Sequence, residues 1–84
     1  MAQVDSKSLE KLIFRLAEPL EVGKVLRQVE IPPDEGDGVL RIILRLDDLD
    51  KADTKDLLKF IEAVEDSLIE KDERFPSVRF AEAA

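Results

Sequence analysis

The chain has no cysteine, no histidine, no tryptophan and no tyrosine, and its single methionine is Met1. Each absence closes off some chemistry. His and Cys are the usual side-chain bases, nucleophiles and soft metal ligands, so neither a conventional nucleophilic enzyme nor a zinc site has its customary parts here. Without cysteine no disulfide can brace a small secreted fold, and the expectation is a reducing, cytoplasmic setting. No apolar run approaches the roughly 20 residues that span a bilayer. The start, Met1-Ala2-Gln3-Val4-Asp5, carries neither the basic nor the apolar segment of a secretory leader. There is no internal repeat and no low-complexity tract.

What is present reads as one small acidic domain over 1–84. Hydrophobic residues make up 44% and charged residues 39% of the 84 positions, a globular balance rather than a disordered one. A core is possible but thin at this length. The net charge of −7 is unevenly placed. Residues 1–46 carry 7 Lys/Arg against 8 Asp/Glu, and residues 47–84 carry 6 against 12. The acidic second half repels phosphate, so neither nucleic acid nor an anionic membrane is the expected partner. A basic protein partner or a divalent cation fits that charge better.

Leu9, Leu12, Ile13, Leu16, Ala17 and Leu20 fall on one helical stripe, with Asp5 or Ser6 as cap and Pro19 disfavouring continuation past Glu18. Phe14 lies off the stripe, either covering the core edge or exposed for contact. Residues 22–31 read as strand or helix. Gly23, Pro32-Pro33 and the β-branched content favour a strand with Val25, Val29 and Ile31 on one face. Pro32 to Gly38 is a loop. Val39 to Leu46 is the clearest strand, with Leu40, Ile42, Leu44 and Leu46 on one face and Val39, Arg41, Ile43 and Arg45 on the other. A second helix starts near Asp50 or Asp53 and carries Leu57, Phe60, Ile61, Val64 and Leu68 inward. Pro76 marks a break, and Ser77 to Ala81 forms a final strand with Val78 and Phe80 facing the core.

This gives an α+β fold: a two-layer sandwich in α-β-β-α-β order, with a three-stranded sheet and two helices on one face. A crossover through the second helix places the third strand parallel to the second and beside the first. The opposite sheet face is left open, and an open face with an unpaired edge invites association.

Five constellations invite a chemical reading. The run Asp47-Asp48-Leu49-Asp50-Lys51-Ala52-Asp53 fails as a calcium loop, because read from Asp48 the glycine position is Asp53 and the terminal Glu position is Lys59. It reads instead as a strand-to-helix connection with competing caps. The loop Asp34-Glu35-Gly36-Asp37-Gly38 reads as a turn tip rather than a cation or phosphate site. Paired carboxylates are plentiful, but nothing places one in a dry pocket that would raise its pKa. Glu62, Asp66 and Glu70 recur every four residues along the outer face of the second helix. That stripe is mildly unfavourable when unbound, and it is either a solvated face or a docking stripe for a basic partner. Arg41 and Arg45 flank Ile43 on the open sheet face. The aromatics that stack single-stranded RNA are missing there, which leaves cross-strand ion pairs with Glu21 or Glu30, or an interface.

The run Ile61-Glu62-Ala63-Val64-Glu65-Asp66-Ser67-Leu68, followed by Arg74-Phe75-Pro76-Ser77-Val78, resembles the last helix and strand of the cytoplasmic C-terminal domain of cation-diffusion transporters, as does the element order. The resemblance covers about half the chain and implies a module that dimerises through its sheets. The metal sites of that family often use His, which this chain lacks.

The expectation for function is therefore a non-enzymatic protein–protein interaction module without catalytic residue, cofactor or metal. Arg41, Ile43 and Arg45 on the sheet face meet a second copy or a partner, and Glu62, Asp66 and Glu70 meet a basic protein. The alternative is a small acidic regulatory or chaperone-like subunit of a larger assembly.

Overall fold

The computed structural model describes residues 4–83. The first helix, α1, spans Ser6–Ala17. The Asp5 carboxylate caps it by accepting the Ser8 N–H at 3.0 Å, which satisfies one of the free donors of the first turn. Leu9, Ile13 and Ala17 are buried, Leu12 and Leu16 half-buried, and the helix ends at Glu18 ahead of Pro19. Phe14, off the stripe, is 39% exposed.

The segment 22–31 divides, and the all-strand expectation is corrected. Val22–Val25 forms a short helix, α2, and Leu26–Glu30 forms β1. Two things hold α2. The Asp56 carboxylate accepts the N–H groups of Glu21 (3.3 Å) and Val22 (2.8 Å), closing the helix start from outside. Gly23 also lets α2 lie against the end of α1, since a Cβ there would sit 2.4 Å from the Ala17 carbonyl oxygen. The register of β1 slips between Leu26 and Gln28. This bulge places Leu26 and Val29, three residues apart, on the same buried face. Simple alternation had paired Val25 with Val29.

The strand β2, Val39–Leu46, alternates as its sequence demands. Leu40, Ile42, Leu44 and Leu46 are buried, while Val39, Arg41, Ile43 and Arg45 are only half-buried. A 3-10 turn, Leu49–Lys51, leads to α3, Thr54–Lys71, which is capped by Asp53. Phe60, Val64 and Leu68 of α3 enter the core.

The last strand, β3, spans Phe75–Glu82 and includes Pro76, which was expected to lie before it. The sheet order is β1-β2-β3, with β1 antiparallel and β3 parallel to β2. Thus β3 is parallel to the second strand as expected, but it lies on the far side of β2 from β1. An edge strand tolerates proline when the missing N–H would have faced away from its neighbour. The Phe75 N–H donates to the Gly38 carbonyl and the Ala83 N–H to the Leu46 carbonyl, both at 2.8 Å. Odd positions of β3 therefore bond to β2, and the backbone nitrogen of Pro76 points away from β2 while its ring is buried.

α1 packs over β1 and α3 over β3, both on the same side of the sheet. The architecture is the two-layer α+β sandwich in α-β-β-α-β order, with one extra helical turn. The core is the apolar sheet face against Leu9, Ile13, Phe60, Val64 and Leu68.

Candidate functional site: the open sheet face

Because β2 alternates, its second face projects away from both helices. The register assembles that face row by row. Gln28, Arg45 and Ala81 lie in one row, Glu30, Ile43 and Arg79 in the next, then Arg41 with Ser77, then Val39 with Phe75. Arg41, Ile43 and Arg45 thus share one surface, with Ile43 at its centre.

The two β2 arginines are ion-paired. Arg45 Nε donates to Glu30 Oε1 at 2.5 Å, and Nη1 reaches the Glu82 carbonyl at 3.1 Å. Arg41 Nη2 donates to Asp37 Oδ2 at 2.6 Å, and Nη1 lies 3.1 Å from Glu35 Oε2. The hydrogen bond from Arg41 holds the Asp37 carboxyl below the usual carboxylate range. Glu21, the other acid expected here, pairs with Lys24 instead. The loop Asp34–Gly38 therefore serves partly to neutralise Arg41. Arg79 differs, since its exposed side chain has no hydrogen-bond or ion-pair partner among the described residues.

Glu62, Asp66 and Glu70 all lie exposed on α3. None of the three has an ion-pair partner among the described residues. The structure does not bring this stripe to the sheet face, because α3 lies on the opposite side of the sheet.

The acidic run 47–53 is distributed among separate tasks. Asp47 pairs with Arg27, Asp48 with Lys51 (3.3 Å), and Asp53 caps α3. Among the described residues no group of three or more acidic side chains is gathered in metal-binding geometry. One recess, about 270 Å³ between α2 and α3, is lined by Val22, Val25, Ala52 and Leu57 together with charged residues such as Asp56 and Lys51. The recess on the open face, about 130 Å³, involves Pro32, Arg41, Ile43, Ser77 and Arg79. Both fall short of the roughly 300 Å³ at which small-molecule sites begin. Among the described residues no helix is long and apolar enough to cross a membrane.

Sequence reasoning missed one cluster. Asp72 is 2% exposed and follows α3 directly. Its carboxylate accepts the Val4 N–H (3.0 Å), the Arg74 N–H (2.9 Å), Arg74 Nε (3.0 Å) and Arg74 Nη2 (2.9 Å). The sequence signal is Asp72-Glu73-Arg74 just past the helix stop, where the turn brings i and i+2 side chains together. The role is structural: it ties the approach to α1 to the turn before β3.

Comparison with known protein families, curated proteins and solved structures finds no match. The likeness to the transporter domain therefore rests on element order and the short quoted runs alone.

Proposed function

We propose that the protein is a non-enzymatic interaction module that self-associates through its open sheet face. The observation that carries this reading is the row Glu30–Ile43–Arg79. It runs acid, apolar, base across the three strands. A two-fold axis along β2 sets Ile43 on its own copy and each Glu30 over the other copy's Arg79, the self-complementarity an isologous interface needs. Arg41 arrives already neutralised by Asp37 and Glu35, and each Glu30 is shared between Arg45 of its own chain and Arg79 of the other copy. The absence of cysteine suits a cytoplasmic site of action.

The size of the face sets the strength. Eight residues of β2 at about 3.3 Å each and three strands at about 4.8 Å give a footprint of roughly 380 Å² per copy. A standard stable interface buries about 800 Å² per partner. The dimer is therefore weak, with a dissociation constant roughly micromolar or higher. Light scattering on a sizing column over a wide concentration range tests it. Wild type shifts toward double mass as concentration rises, and Ile43→Asp stays monomeric. A wild type that remains monomeric throughout removes the proposal.

A second reading has its own observation. Glu62, Asp66 and Glu70 form an exposed acidic stripe on α3 with no ion-pair partner among the described residues. This supports docking of a basic protein, as in an acidic subunit of a larger assembly. Charge reversal at the three positions that leaves binding to a basic partner unchanged removes it.

A further inference from the structure

We infer that the outer edge of β3 accepts an extended peptide of another protein as a fourth strand, with apolar residues on the helix side and an acidic residue beside Arg79. The site lies at the sheet edge and shares only Arg79 with the open-face dimer, so it does not depend on that dimer forming.

The backbone supplies the first argument. Odd positions of β3 bond to β2, as the bonds at Phe75 and Ala83 fix, so the even positions turn their polar groups outward. Pro76 has no N–H to offer. The outward donors are then Val78, Phe80 and Glu82. Of the carbonyls, that of Glu82 is engaged by Arg45, which leaves those of Pro76, Val78 and Phe80. Exposed edges of this kind are usually blunted. The opposite edge is: β1 is five residues long and bulged. The β3 edge is eight residues long and regular apart from Pro76.

Side chains on both layers set the peptide's chemistry. On the helix side, Ile69 of α3 lines a recess with Pro76 at the start of β3. Leu58, eleven residues earlier, is only about 20° from Ile69 around the helix. Both are more than half exposed, at 54% and 53%. The other flank of α3 carries Asp56, which caps α2, so the Leu58–Ile69 line lies on the flank toward the β3 edge. Glu65, half-buried on the same line, disfavours an acid on that side. On the open-face side, Arg79 is exposed with its side chain unpaired among the described residues, and Phe75 is 63% exposed. A strand laid along the edge places alternate residues against these two sets, and an acid beside Arg79 gains a cross-strand ion pair.

Sterics decide against a second copy as occupant. α3 packs over β3, the edge strand itself. Pairing two β3 edges sets the strands about 4.8 Å apart and brings the two α3 helices to nearly the same separation. Packed helices need about 8–10 Å. A bare extended segment has no helix layer to collide.

The test uses the full chain labelled with ¹⁵N and three blocked pentapeptides: Val-Asp-Val-Asp-Val, its Lys counterpart, and the Asp peptide with N-methylated backbone. Added up to millimolar concentration, the Asp peptide slows amide exchange at Val78, Phe80 and Glu82 and leaves Ser77, Arg79 and Ala81 unchanged. The Lys peptide binds about fivefold more weakly, Arg79→Glu reverses that order, and the N-methylated peptide does not bind. Ile43→Asp, which breaks the open-face dimer, leaves peptide binding intact, so the two readings fail separately. Unchanged exchange at the three even amides overturns the inference. So do shifts confined to Arg41–Arg45, or protection of the same amides by raised protein concentration without peptide.

Discussion

Replacing Asp72 by Ala removes the acceptor for four hydrogen bonds at one buried point. The Arg74 side chain is only 10% exposed and keeps an ion pair with Asp34, at 3.9 Å. A buried cation stripped of its partner destabilises a fold by about 3–5 kcal/mol. A domain this small has on the order of 5 kcal/mol in total, so Asp72→Ala leaves at most about 2 kcal/mol of stability at 25 °C. Asp72→Asn keeps the shape and one acceptor oxygen and loses about 2 kcal/mol. With no Trp or Tyr to report, the assay is urea unfolding followed by far-UV circular dichroism. The pH dependence gives an independent check. The Arg74 side-chain hydrogen bonds hold the Asp72 carboxyl well below the usual carboxylate range; burial opposes them, and the Arg74 and Val4 N–H groups add to them. A carboxyl lowered on folding stabilises fully above its unfolded pKa of about 3.9, and that contribution is lost as pH falls through the folded value. Wild type therefore loses more stability than Asp72→Asn between pH 5 and the acid limit, at about 1.4 kcal/mol per unit of lowering. A loss under about 1 kcal/mol for Asp72→Ala, with parallel acid curves for wild type and Asp72→Asn, would refute the argument.

Three further outcomes follow from local geometry. Gly23→Ala drives a methyl against the Ala17 carbonyl at 2.4 Å and lowers stability by about 2 kcal/mol, seen as a reduced urea midpoint with unchanged slope. Asp56→Ala uncaps α2 and lowers stability by about 1 kcal/mol, with amide exchange accelerated at Glu21 and Val22 first. Asp66→Lys relieves like-charge contacts with Glu62 and Glu70 and raises thermal stability by a few tenths of a kcal/mol, while weakening capture of any basic partner bound there.

The parts of the fold legible in the sequence are those set by one strong period. The alternation from Val39 to Leu46 gives both faces of β2, and with them the placement of Arg41, Ile43 and Arg45 on one surface. The stripes of α1 and α3 are equally plain. Where a period breaks, the reading fails. The bulge at Leu26–Gln28 puts Leu26 and Val29 on one face, which alternation cannot show. Pro76 looks like a terminator unless the strand is known to be an edge, and edge position is a property of the assembled sheet. Asp72 looks like an unfavourable acid at a helix end until the turn folds Arg74 back onto it. The partners of the site residues were half legible: Glu30 follows from strand pairing, whereas Glu35 and Asp37 reach Arg41 from the loop.

A cysteine-free chain allows a direct test of the central claim. Ile43→Cys introduces the protein's sole thiol on the open face, where the proposed two-fold axis along β2 sets this position over its own copy. A short bismaleimide matched to the roughly 10 Å between packed sheets should link two copies at high protein concentration, while Glu62→Cys, on α3, should give no linked species. Crosslinking at Ile43 that rises with concentration and vanishes on adding Arg79→Glu would be the result of a self-complementary face. Equal crosslinking at both positions, or none at Ile43, would contradict it.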